Sequence, residues 1–119
     1  LGLGRVDALD LSPDAARCAR GNAKLNACDM QVDLCDVAEF DTGVAYDIVV
    51  ANMVTDVITR RVEDLARLMR DGGTMIASGI STGSAAIAAD CFARHGYESR
   101  EMLYWRGWTG FLLERPRRA

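Results

Sequence analysis

Two hydrophobic periods alternate along this chain, and the switches between them mark out its elements. Val6–Asp10 reads as a short strand. Ser12-Pro13-Asp14 then supplies an N-cap, a proline at the first helical position and an early acid, which together start a helix. That helix shows a small-residue face of Ala15, Ala16, Ala19 and Ala23 and ends near Asn26. Met30–Cys35 predicts a second strand, and Asp36–Ala45 a loop. Asp47–Ala51 is nearly all apolar and β-branched, the pattern of a strand covered on both faces. Val54, Val57, Ile58, Val62, Leu65 and Met69 follow at helical spacing, with Arg60, Arg61, Glu63, Asp64 and Arg67 on the outer face.

Asp71-Gly72-Gly73 stops that helix and leads into a strand over Thr74–Ser78. Ser81 to Ser84 can cap a further helix with Ile87, Ala88, Cys91 and Phe92 inward, ending at His95-Gly96. Two last strands, about Tyr97–Trp105 and Trp108–Arg115, join at Arg106-Gly107 as a hairpin. The order β-α-β-loop-β-α-β-α-β-β implies an α/β, Rossmann-like, doubly wound and mostly parallel sheet with a C-terminal antiparallel hairpin.

Composition narrows the function classes. A length of 119 residues suits one domain, and with half of them hydrophobic a packed core is expected. The net charge of −3 gives no strong nucleic-acid signal. Arg115, Arg117 and Arg118 form a basic tail that reads as a solvated terminus. No apolar run approaches the roughly 20 residues of a membrane span, and no signal-peptide pattern is present. Cys18, Cys28, Cys35 and Cys91 lack both metal-ligand spacing and a disulfide framework, so they read as buried thiols in a reducing, cytoplasmic setting.

Candidate chemistry follows from the topology, because ligands in such sheets bind beyond the carboxyl ends of the strands. Asp10, Asp36 and Asn52 fall at those ends. An acid closing a strand can accept both hydroxyls of a ribose, and an acid after the next strand can meet an adenine amine. The amide of Asn52 and the carbonyls beside it can face a reacting group. The structural alternatives are a helix cap for Asp10, a loop brace for Asp36 and a strand terminus for Asn52. His95 fits a helix cap better than a catalytic base, and Ser78 and Ser81 have no His–Asp pattern to make a hydrolase triad. Tyr104, Trp105 and Trp108 are expected to pack on one face of the hairpin, with a lip on a substrate groove as the other reading. Gly2-Leu3-Gly4 mimics a dinucleotide loop but precedes the strand instead of following it. It reads as a turn leaving a helix.

The run "VDALDLSPDAARCARGNAKLN" resembles the second-strand region of class I S-adenosylmethionine-dependent methyltransferases, with its acid and "D-x-x-P-x-A-x-x-x-A-x-x-N" pattern. "YDIVVANMVTDVI", "LMRDGGTMIASGI" and "GWTGFLLERP" are more particular, and resemble the ribosomal protein L11 methyltransferase family from about Arg5 to Pro116. That resemblance implies S-adenosylmethionine as cofactor and a protein substrate, a ribosomal protein. It implies that Asp10, with Leu11 after it, binds the cofactor ribose and that Asp36 with Val37 borders the adenine. Asn52 would face the methyl donor and the acceptor amine as the catalytic residue, and no metal is implied.

Two departures stand out. Ser12 replaces a second acid usual in the family, and the family's first strand and "D-x-G-x-G-S-G" loop have no counterpart in the chain. They would lie upstream of Leu1, so residues 1–119 read as one partial methyltransferase domain that binds cofactor poorly by itself. The rival classes are a non-catalytic α/β interaction module with a degenerate cofactor site, and a nicotinamide-dependent Rossmann enzyme.

Overall fold

The computed structural model describes residues 4–27, 29–41 and 43–115. The readings made on Leu1–Leu3, Cys28, Arg117 and Arg118 lie outside them. The chain divides into two compact units, Leu1–Phe40 and Asp41–Ala119.

The first unit holds β1 (Asp7–Asp10), α1 (Pro13–Leu25) and β2 (Gln31–Leu34). Ser12 is the N-cap: its Oγ accepts from the Ala15 N–H at 3.3 Å, and Pro13 begins the helix. β1 and β2 run parallel with Asp10 opposite Leu34, joined by the crossover through α1. Of the small-residue face, Ala16 and Ala23 are buried, together with Val32, while Ala15 and Ala19 are half-buried. Arg20 of α1 donates to the Val32 carbonyl at 3.0 Å, fastening the helix to β2.

The second unit holds β3 (Tyr46–Asn52), α2 (Thr55–Leu68), β4 (Met69–Ser81), a single 3₁₀ turn (Thr82–Ser84), α3 (Ala85–Arg94), β5 (Glu98–Trp105) and β6 (Trp108–Glu114). Its sheet has the order β3-β4-β6-β5. β3 and β4 are parallel; β6 is antiparallel to both β4 and β5. The α/β class with parallel pairs and a closing antiparallel hairpin therefore holds, and the described strands form two sheets. Arg106 and Gly107 turn the hairpin with φ of 48° and 85°, the left-handed conformation that a tight hairpin turn requires.

α2 and α3 pack on one face of this sheet. Ala51, Met75, Ala77, Phe111 and Leu113 point there and are buried with Ile58, Val62, Leu65, Ala88 and Phe92. The Phe92 and Phe111 rings meet edge to face at 5.3 Å, worth about 0.5–1.5 kcal/mol beyond their burial. Four expectations fail here. Among the described residues β3 is covered on one face only, with Ile48 and Val50 exposed on the other, because α2 and α3 both lie on the side of Ala51. Val54 precedes α2 and Val57 sits in its first turn, so both are exposed ahead of the buried stripe at Ile58, Val62 and Leu65. Ile87 is exposed as well, since the inward stripe of α3 is Ala85, Ala88, Cys91 and Phe92. Cys18 is on the surface, because it sits on the outer side of α1.

Arg115 is a fifth departure, a tail residue turned inward. Its Nη1 donates to the Ala66 carbonyl at 2.7 Å and to the Met69 carbonyl, so it caps the carboxyl end of α2. A cation there also answers the helix dipole. Backbone bonds between Arg115 and Gly72 and Gly73 hold it in place.

Candidate active site

Within the first unit, Asp10 and Asp36 stand at the same end of the parallel pair. The Cys35 N–H donates to the Asp10 carbonyl at 3.1 Å, which joins the carboxyl end of β1 to the loop that opens with Asp36. Asp10 is exposed, and its Oδ1 accepts from the Ser12 N–H at 2.8 Å. The capping bond itself is made by Ser12, so Asp10 braces the turn while its Oδ2 faces outward with no partner among the described residues. An exposed carboxylate with one oxygen to spare, at the carboxyl end of a parallel strand, fits a vicinal diol.

Asp36 is half-buried and accepts from the Ala38 N–H at 3.0 Å, an Asx turn that shapes the loop. Val37 and Phe40 are buried and anchor that loop from below. Leu11 is exposed beside Asp10. An apolar side chain next to such an acid can cover a planar ring.

In the second unit, Asn52 closes β3. It pairs with Ser78 in the parallel register, and the Met53 N–H donates to the Ser78 carbonyl at 3.0 Å. The strand end is thus clamped. The Asn52 carboxamide is exposed and makes no hydrogen bond among the described residues, so its donors and acceptor are available to a ligand. Its Oδ1 and the Met53 carbonyl both abut Gly79. Sequence reading passed over Gly79, although an isolated glycine inside a strand pattern signals a bulge or a close backbone approach.

The aromatic hairpin also departs from expectation. Tyr104, Trp105 and Trp108 are exposed and do not share a face: Trp105 pairs with Trp108 on the side of the sheet away from the helices, and Tyr104 pairs with the buried Thr109 on the other. Arg106 lies over the Trp105 ring, 5.2 Å from its centroid. The Thr82 N–H donates to the Gly107 carbonyl at 2.8 Å, so this tip borders the carboxyl end of β4.

Cys91 and His95 do not make a nucleophilic pair. Cys91 is buried and desolvation pushes its thiol up, away from the reactive thiolate. His95 Nδ1 lies 3.8 Å from its Sγ but 2.8 Å from the Cys91 carbonyl, which can only accept. Nδ1 therefore carries the hydrogen, and His95 is the helix cap expected of it. Among the described residues no group of three or more His, Cys, Asp or Glu side chains could hold a metal ion, and no helix is long and apolar enough to cross a membrane.

Comparison with known proteins adds an independent line. The model of the ribosomal protein L11 methyltransferase (PrmA) family matches residues 1–116. The chain belongs to that family. It is 34% identical over 116 residues to the ribosomal protein L11 methyltransferase of Anoxybacillus flavithermus, covering 97% of this chain and 37% of that protein. The corresponding protein of Bacillus cytotoxicus is 30% identical over 116 residues, with 96% and 37% covered. The chain thus spans little more than a third of the length of these relatives. In fold it is similar to a ribosomal protein L11 methylase of Lactobacillus delbrueckii subsp. bulgaricus, with a TM-score of 0.89 at 23% identity. That likeness covers 97% of this chain and 60% of the other.

Proposed function

We propose that this chain, in an enzyme of its relatives' length, serves S-adenosylmethionine-dependent methyl transfer to amino groups of a protein, and that the protein is ribosomal protein L11. Membership of the family supports the reaction class, and a ribosomal substrate implies work in the cytoplasm. The observation that carries the reading is the clamped end of β3, where the Asn52 carboxamide has no partner among the described residues and the Met53 carbonyl lies beside it.

When bound, S-adenosylmethionine supplies a methyl group made electrophilic by its sulfonium. The chain's own residues then have to hold and align. Asp10 offers its outward carboxylate oxygen to the ribose diol, and Asp36 with Val37 borders the adenine. An amine attacks only when neutral, although a free lysine has a pKa of about 10.4. The Asn52 Oδ1 and the Met53 carbonyl accept hydrogen bonds from the acceptor's N–H groups, which aims its lone pair. No carboxylate base is needed for this step.

Asn52→Ala, made at the relatives' full length, should lower kcat about 100-fold while cofactor affinity stays within about threefold. Parallel loss of both would remove Asn52 from the reacting centre. The 119-residue chain alone should bind S-adenosylmethionine weakly or not at all in calorimetric titration. Micromolar binding would overturn that part of the reading and show that the groups described here suffice.

A further inference from the structure

The carboxyl end of β4 breaks its regular pairing at the point nearest Asn52. Ala77 faces Phe111 and Ile80 faces Thr109, so Ser78 and Gly79 together oppose Gly110 in a bulge. Gly79 takes a φ of +83°, in the left-handed region. A Cβ on it would lie 2.7 Å from Asn52 Oδ1 and 3.1 Å from the Met53 carbonyl oxygen. The first distance is shorter than carbon and oxygen can approach without something moving. The Met53 carbonyl oxygen is a backbone atom in a strand end tied to Ser78 by the Met53 N–H, whereas Asn52 Oδ1 is the far end of a flexible side chain. The carboxamide is the part that would yield.

Two other glycines with positive φ differ in this respect. Gly43 (φ +70°) and Gly107 (φ +85°) have open space where a Cβ would be. They serve their turns by conformation alone. Gly79 serves a bulge and also leaves a seat for a neighbouring side chain.

We propose that Gly79 is a positioning residue for Asn52: its bare backbone forms the floor on which the carboxamide rests in the orientation that receives the acceptor amine. The proposal rests on the reading that Asn52 faces the reacting groups. It assigns Gly79 no contact with substrate or cofactor.

The test is a double-mutant cycle at the relatives' full length, comprising Asn52→Ala, Gly79→Ala and the pair, with Gly43→Ala as a control for backbone strain in open space. Urea unfolding, cofactor affinity by calorimetry and kcat are measured for each. Gly79→Ala should lower kcat to about the level of Asn52→Ala, with cofactor affinity within about threefold. Added to Asn52→Ala, it should change kcat by less than about threefold, because the group it displaces is already gone. In that background its shift of the urea midpoint should shrink to about that of Gly43→Ala. Retained kcat in Gly79→Ala, losses that multiply in the pair, or an equal urea shift in both backgrounds would overturn the proposal.

Should Gly79→Ala fail to fold, the pair decides: a recovered fold supports the contact, and continued failure makes Gly79 a bulge residue only. Should Asn52→Ala keep its turnover, the reading of Asn52 fails first, and the urea cycle still judges the contact on its own.

Discussion

On the side of the second unit's sheet that carries α2 and α3, Ala51, Met75, Ala77, Phe111 and Leu113 are at most 2% exposed. On the opposite side Ile48, Val50, Ile76, Leu103, Trp105 and Trp108 keep between 42% and 70% of their surface exposed. Both rows are apolar, and β3, β4 and β6 contribute to both. The difference lies in the connections: the crossover from β3 to β4 runs through α2, and α3 follows on the same side. Hydrophobicity makes a row fit for burial, but the handed connection decides which row is buried.

The largest effect should come from the covered row. Phe111→Ala removes the ring that meets Phe92 and leaves a cavity under α3, and should cost about 3–5 kcal/mol in urea unfolding. A loss near 1 kcal/mol would mean that the two rows differ less than their burial implies.

A smaller, pH-dependent effect belongs to the same side. Burial pushes the Tyr97 phenol up to about 12, and its hydroxyl donates to the Val62 carbonyl at 3.4 Å. Unfolded tyrosine ionises near about 10, so between these values the unfolded chain binds fewer protons than the folded one. Stability from this group is complete below about pH 10 and is lost as pH rises toward 12. Urea midpoints measured across that window should fall, and Tyr97→Phe should flatten the slope. An unchanged slope would return Tyr97 to the exposed class.

The smallest effect is expected from the open row. Val50→Thr keeps the β-branched shape and should alter stability by less than about 0.5 kcal/mol. A loss above about 1 kcal/mol would show that this row is covered in solution, and the contrast between the two sides would vanish.

Local signals explain what could be foreseen. Ser12-Pro13 started α1 where capping chemistry requires, and Arg106-Gly107 turned the hairpin, because both depend on a few adjacent residues. Asp10, Asp36 and Asn52 were legible as strand-end polar residues; Asp10 and Asn52 close their strands, and Asp36 lies in the loop two residues past β2. What stayed hidden depends on residues far apart in sequence. The continuous apolar run Ile48–Ala51 has no alternation, so nothing in it could say which side would be open. Arg115 looked like part of a basic tail, yet its partners Ala66 and Met69 lie 49 and 46 positions earlier. The role of Gly79 depends on a bulge set by β6 and on a side chain delivered by β3.

The place of β6 has a bearing on how the chain is made. It is the last strand in the described sequence, yet it lies in the interior of the sheet, between β4 and β5. During synthesis β5 emerges before β6, its one partner among the described strands, and β4 waits for the same strand. The sheet can therefore close only after Glu114 has left the ribosome, and every pairing that closes it spans the α3 region or the hairpin. A nascent chain halted before Trp108 holds β3, β4 and both helices but no finished sheet, and it exposes long unpaired edges of the kind that recruit other chains.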